Sequence, residues 1–385
     1  MRSKFSTGSS VHLGPVTIDG VTVLLRPPRL ADGPSWRETA LAFEERLSPA
    51  FDRDDMDWES AHSPVMWVDT WRAASADARA GGVSYLLVRI DDGSERVVGH
   101  FLMAGRDHRT GGAEISTWAA DVPSAVSAWA QLTTVLSAFD GNPAIPHALA
   151  PAAVSNVGAN RFAESMGWTQ LQTRRALRRY GGQVSDHHIW FLANTAEYRD
   201  WARRRLSAIP FTRAPLTAPA PRMPSAEYLA AWLRFVAIRA RLRFGTLRCK
   251  AIAESPLEIP SGSGEVARIE RGESGQYRVS IGGRPAGSID VYSDIGTATT
   301  ELVPRLPLWV SDAARVAVVS GLAGHLAQGP AVSRRTTIVA QESDATLADR
   351  LAALGFADEG TAPAALGEDG PPRRMWTRLR NPDAK

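Results

Sequence analysis

One cysteine, Cys249, among 385 residues excludes an internal disulfide framework and any cluster of thiolate zinc ligands. Long apolar runs are also missing. The longest such stretch, residues 313–327, is broken by Arg315 and His325, so no membrane span is expected. Neither charge sign dominates: 44 Lys+Arg stand against 41 Asp+Glu, a net +3 that permits contact with a polyanion without demonstrating it. The opening residues, MRSKFSTGSSVHLG, carry no apolar core of signal-peptide length. No single residue type dominates a run, and 44% hydrophobic residues make the composition that of a globular chain. A cytoplasmic protein is the expectation. At this length one core is too few, which makes two domains the starting assumption.

Proline marks the expected boundary. Five prolines between Pro210 and Pro224 forbid a continuous helix or central strand there. The expected division is an N-terminal domain over 1–209, a proline-rich linker over 210–226 and a C-terminal domain over 227–385. In the first domain, strands are expected at 22–26, 84–90, 96–104, 114–119, 147–153, 171–180 and 187–193. Helices are expected at 35–46, 64–80, 125–139 and 156–166, the last stopped by Gly167. The order βααβββαβαββ predicts a mixed α/β fold. The C-terminal part opens on a helix-like run, 227–244. Strands at 266–269, 277–281, 286–292 and 335–340 and helices at 312–327 and 345–354 follow, so its second half repeats the element order of the first domain.

The segment Asn156-Val-Gly-Ala-Asn-Arg-Phe-Ala-Glu-Ser-Met-Gly-Trp168 resembles the N-x-x-[SA]-x-R-[FV]-x-E-x-x-G-[FW] motif of the GNAT N-acyltransferases. The likeness is to the branch holding the ribosomal-protein N-terminal acetyltransferases. Val23-Leu-Leu-Arg26-Pro, Val98-Gly-His100 and Ala113-Glu-Ile-Ser-Thr-Trp118 look like that family's first, third and fourth strands. Gly282-Gly-Arg-Pro-Ala-Gly287 and Leu347-to-Phe356 resemble a second, degenerate copy. The resemblance implies two tandem GNAT-like α/β domains with a mixed sheet. It also implies direct attack of an amine on an activated acyl donor, bound where the fourth and fifth strands splay apart.

Roles carried over by the resemblance are specific. Glu114, Asn156 and Tyr180 become catalytic candidates. Ile115, Ser116, Thr117, Trp118, Ser124, Ser127, Asn156, Asn160 and Arg161 become the donor-binding set. Trp67, Trp71, His100 and His147 are expected to line the acceptor cleft. No metal is implied, and no tightly bound cofactor, only acyl-CoA or aminoacyl-tRNA as co-substrate. The expected partner is a small-molecule amine.

One family feature is absent. The glycine-rich R-x-x-G-x-[GA] loop that cradles the coenzyme A pyrophosphate has no counterpart in Asp121-Val-Pro-Ser-Ala-Val-Ser-Ala128 or in Trp309-to-Val316. Three readings stay open. The loop binds acyl-CoA through Ser124, Ser127 and the helix end, the donor is aminoacyl-tRNA, or the chain is a non-catalytic binding protein. Arg174, Arg175, Arg178, Arg179, Arg239 and Arg243 would suit RNA contact, although a solvated face with its apolar stripe packed inward is the better explanation.

Overall fold

The computed structural model describes residues 13–51, 56–105, 110–141, 144–180, 183–215, 223–246, 256–261, 264–272, 275–294, 299–307, 309–328, 335–341, 345–362 and 373–379. The first part opens on a hairpin, β1 (Leu13–Ile18) and β2 (Val21–Arg26), followed by four helices. These are α1 (Gly33–Ala42), α2 (Glu44–Phe51), α3 (Trp58–Ala61) and α4 (Pro64–Arg79). Strands β3 (Val83–Asp91), β4 (Ser94–Ala104) and β5 (Ala113–Ala119) come next, then α5 (Ser124–Phe139) and β6 (His147–Ala153). Helix α6 (Val157–Ser165), the hairpin β7 (Thr169–Tyr180) and β8 (Gln183–Ala193), α7 (Ala196–Ser207), the short β9 (Thr212–Arg213) and α8 (Ala226–Thr246) complete it.

The second part contains β10 (Leu257–Pro260), β11 (Val266–Arg271), β12 (Gln276–Ile281), β13 (Arg284–Asp294) and β14 (Thr299–Arg305). Then come α9 (Asp312–Gln328), β15 (Arg335–Gln341), α10 (Ala345–Ala353), β16 (Ala357–Ala362) and β17 (Arg373–Leu379).

Turn chemistry explains the hairpins. Asp19-Gly20 and Asp92-Gly93 all sit at positive φ, between 48° and 77°, the conformation of a two-residue turn matched to strand twist. They join Ile18 to Val21 and Asp91 to Ser94. Gly282-Gly283 makes the same connection from Ile281 to Arg284. Helix α5 is apolar on most of its surface and accordingly buried, with Leu132, Val135 and Phe139 in the core. Each such side chain contributes roughly 1.5–3 kcal/mol by leaving water.

Two sheets result, and their strand orders match. The first runs β7-β8-β6-β5-β4-β3-β2-β1-β9, the second β10-β11-β12-β13-β14-β15-β17-β16. Read from β1 and from β10, both give the sequence first, second, third, fourth, fifth, sixth, eighth, seventh. In both, the fifth and sixth strands are parallel and joined by a long helix, α5 or α9. The expected tandem mixed α/β architecture is therefore present. Between its second and third strands, the second copy has only residues 272–275 where the first has α1 to α4.

The expected boundaries divide differently in space. The first compact unit runs through residue 170, includes Tyr180 and Gln183, and resumes at His188 to take in α8. Tyr228 on α8 is buried beside Trp36 and Trp67, next to Gly33, where a Cβ would fall 2.0 Å from the tyrosine ring. Within the expected linker, β9 pairs with β1 (Val16 opposite Arg213). The proline-rich stretch thus connects parts of one unit, because apolar side chains beyond it complete that unit's core. The second unit gathers Leu171–Arg179 and Val184–His187 with the residues from 256 onward.

Candidate active site

Strands β5 and β6 pair at two positions, Ala113 with Ala148 and Glu114 with Leu149. Beyond them β5 continues beside β4 through Ala119 while β6 diverges. The parallel pair is therefore forked, and Glu114 stands at the fork. Past it, the β6-facing edge of β5 offers backbone N–H and C=O groups with no strand partner.

A cavity of about 240 Å³ lies in the first unit, against one face of β4 and β5. Alternation along the strands sets its floor: His100 and Leu102 from β4, Ser116 and Trp118 from β5. His100 is directly opposite Trp118, and Leu102 opposite Ser116. Helices α1 to α4 and the C-cap of α3 supply the walls, among them Trp36, Phe51, Trp58 and His62. Helix α1 is pinned to β4 at one residue. The Thr39 hydroxyl donates to the Val97 carbonyl (2.6 Å), and the Val97 N–H donates to Ser35 Oγ (2.8 Å).

Two buried imidazoles line this space. His100 Nε2 lies 2.9 Å from Ser84 Oγ, and burial pushes the His100 pKa down to about 4. His62 caps the C-terminus of α3, between the rings of Trp36 (4.8 Å) and Trp58 (4.2 Å). Its Nδ1 is 2.8 Å from the Trp58 carbonyl, which can only accept, so Nδ1 carries the proton and the lone pair of the neutral ring is on Nε2. Burial lowers the His62 pKa, and Arg37 pushes the same way. The bond to Trp58 and the charge of Glu44 act against them. Both rings are neutral near pH 7.

The structure sorts the expected residues. His100 lines the cavity. Ser116 and Trp118, expected on the donor side, line it too, whereas Ile115 turns to the opposite face and joins the core under α5. Thr117 follows Ile115 on that face by strand alternation. Trp67 is fully buried and donates through Nε1 to the Leu30 carbonyl (3.1 Å), and Trp71 packs against the same cluster; neither lines the cavity. His147 is also outside it, its ring packed against Gly112 and 5.3 Å from Phe191.

Asn156 caps α6, its Oδ1 accepting from the Ala159 N–H (3.0 Å). Asn160 donates to the carbonyls of Ala153 and Asn156 and accepts from Trp190 Nε1 (2.8 Å), which ties α6 to β6 and β8. Those bonds give Asn160 a structural occupation in place of the expected donor contact. Arg161 is exposed on α6. Arg174 and Arg178 are half-buried on β7, and Arg175 is exposed. The main chain of Arg175 donates to Glu359 and accepts from Arg335, inside the second unit. The side chains of Tyr180, Arg179, Arg239 and Arg243 lie outside the described residues.

The segment replacing the glycine-rich loop has a defined structure. Asp121 adopts φ +56°, and its carboxylate accepts from Arg96 (2.5 Å) and Arg89 (3.3 Å). Helix α5 then starts after Pro123, whose carbonyl accepts from the N–H groups of Val126 and Ser127. Ser124 is exposed there and Ser127 half-buried.

The family model for the acetyltransferase (GNAT) domain matches residues 25–189. Residues 25–189 are therefore similar to a GNAT domain. The fork between β5 and β6 falls inside this match, as does the whole described lining of the cavity. Part of the chain is similar to solved acetyltransferase structures. Mycobacterium smegmatis RimJ in complex with CoA-disulfide shares 22% identity over 54% of this chain and 99% of its own, with a TM-score of 0.46. The ribosomal-protein-S5-alanine acetyltransferase of Vibrio fischeri shares 10% over 45% and 94%, at 0.39. The microcin C7 self-immunity acetyltransferase MccE, in complex with acetyl-CoA and AMP, shares 12% over 44% and 92%, at 0.37. No curated protein matches the sequence. Among the described residues no helix is long and apolar enough to cross a membrane.

Proposed function

We propose that the GNAT domain transfers an acyl group, with acetyl the family's usual one, from a coenzyme A thioester to the amine of a small molecule. The observation that carries this reading is the fork. β5 leaves β6 after Glu114, and the cavity floor of Ser116 and Trp118 lies on the very stretch of β5 that has parted. A thioester arm laid along that free edge finds backbone partners, and an amine in the cavity faces it from one side.

Attack is direct. The nitrogen forms its bond to the acyl carbon while both substrates are bound, and the thiol departs. Positioning and backbone N–H groups aimed at the developing oxyanion supply most of the acceleration. The α5 N-terminus favours the pyrophosphate, but Asp121 first has to share Arg89 and Arg96 with it. A donor weaker-held than a glycine-cradled one follows from this.

The test is acetyl-CoA added to the full chain. Thermal stabilisation that grows with acetyl-CoA concentration, together with amine-dependent thiol release, supports the proposal. Salt-sensitive binding of aminoacyl-tRNA with no response to acetyl-CoA would move the donor assignment to RNA. No turnover with either donor would leave a binding protein.

A further inference from the structure

The walls of the cavity narrow the class of amine, an inference that rests on the acyl-transfer reading. We propose that the cavity takes a compact primary amine on an apolar body without a carboxylate, held as its ammonium ion against tryptophan ring faces, and that His62 Nε2 receives the ammonium proton.

Three observations lead there. Trp36, Trp58 and Trp118 line one space, and the negative faces of such rings attract an ammonium ion without needing a counter-carboxylate. The described lining includes no Asp, Glu, Lys or Arg. A carboxylate on the acceptor would therefore be buried without a described cationic partner, at a large desolvation cost. Finally, His62 is fixed by its neighbours: two indole rings flank it, the Trp58 carbonyl holds Nδ1–H, and Nε2 makes no hydrogen bond to a described residue. The other imidazole, His100, already has its Nε2 on Ser84. At about 240 Å³ the cavity has room for roughly eight waters, which suits a small arylalkyl or alkyl amine.

The step balances. One ammonium proton passes to His62 and then to solvent, and the freed nitrogen lone pair forms the C–N bond. The C–S bond breaks, and a second nitrogen proton ends on the departing thiol. The products are an amide, the free thiol and one released proton. The charged groups around His62 are Arg37 from α1, which donates to the His62 carbonyl (3.5 Å) and to Glu59 (2.6 Å), and Glu44 from α2. The neutral His100 faces the same cavity from β4.

The experiment compares phenethylamine with phenylalanine, first as ligands of the full-length protein by calorimetry and then as acceptors with acetyl-CoA. Binding of phenethylamine at least about 100-fold tighter than phenylalanine is expected, and Trp58→Leu should weaken it roughly 10-fold. Equal binding, or none of phenethylamine, overturns the ligand assignment even if some other amine is acetylated. Tight phenethylamine binding with no transfer would instead sink the acyl-transfer reading, and His62's role with it, while the ligand class stands. In the active enzyme, His62→Gln should cut kcat about 100-fold or more with KM nearly unchanged, and remove the acid limb of the kcat/KM profile. A folded His62→Gln protein that keeps that limb overturns the proton-acceptor role.

Discussion

The two units share a strand order and differ in what covers the sheet. In the first, four helices lie between the second and third strands and wall a cavity; in the second, only residues 272–275 separate those strands. The parallel pair differs as well. β14 and β15 pair at four positions, Thr299 through Leu302, whereas β5 and β6 pair at two before parting. The sheet topology therefore does not by itself make this cavity. Helices α1 to α4 wall it, and the early fork opens the strand edge beside it.

That contrast can be attacked from either side. Filling the first unit's cavity with Leu102→Trp should lower acyl transfer by roughly 100-fold or more, since a small displacement of reacting groups is enough. The check is steady-state thiol release, with acetyl-CoA binding retained. A variant of normal activity would place the acceptor elsewhere.

The second unit can be weakened alone. Arg335 and Glu359 form a fully buried ion pair joined by Thr377, and Glu359 also accepts from the Arg175 main chain. Glu359→Gln leaves the guanidinium without its charge partner and should cost about 3–5 kcal/mol in chemical denaturation. Transfer per folded molecule should stay within about twofold if the chemistry belongs to the first unit. A matching loss of activity would break the comparison.

Acid acts on the first unit through its buried imidazoles. An unfolded histidine binds its proton near pH 6.5, whereas folded His100 resists protonation until about pH 4. Between those values the unfolded state holds more protons, so stability rises with pH. Acidification from 6.5 to 4 should remove up to about 3 kcal/mol, with His62 adding in the same direction. Melting temperature against pH should flatten over that window in His100→Asn. Smallest is the cap at α6: Asn156→Ala should cost about 1 kcal/mol, measured by denaturation. Transfer falling far more than that would return Asn156 to the reaction.

The sequence made the first unit's core elements legible because period and punctuation agree there. The strands at 84–90 and 96–104 are apolar runs on either side of the turn pair Asp92-Gly93, and α5 is a long apolar run with no breaker. Strand β1 escaped because Gly14-Pro15 interrupts a six-residue run. Helix α7 escaped because its buried side is small and its sequence, with Arg203, Arg204 and Arg205, reads as a surface. The site was legible in part. His100 could be placed on its strand from the Val98-Gly-His pattern, but His62 could not. Its neighbours Trp36, Trp58 and His100 come from three separate elements, and a lone histidine after Ala61 carries no local signal. Asn160 was misassigned because a motif position does not reveal that three hydrogen bonds already occupy its amide.

The membership of residues 171–179 and 184–187 in the second body has a consequence for how this chain can be cut or recombined. A gene fragment opening at codon 227 would encode that body without two stretches of its own fabric, and would carry α8, which belongs to the other.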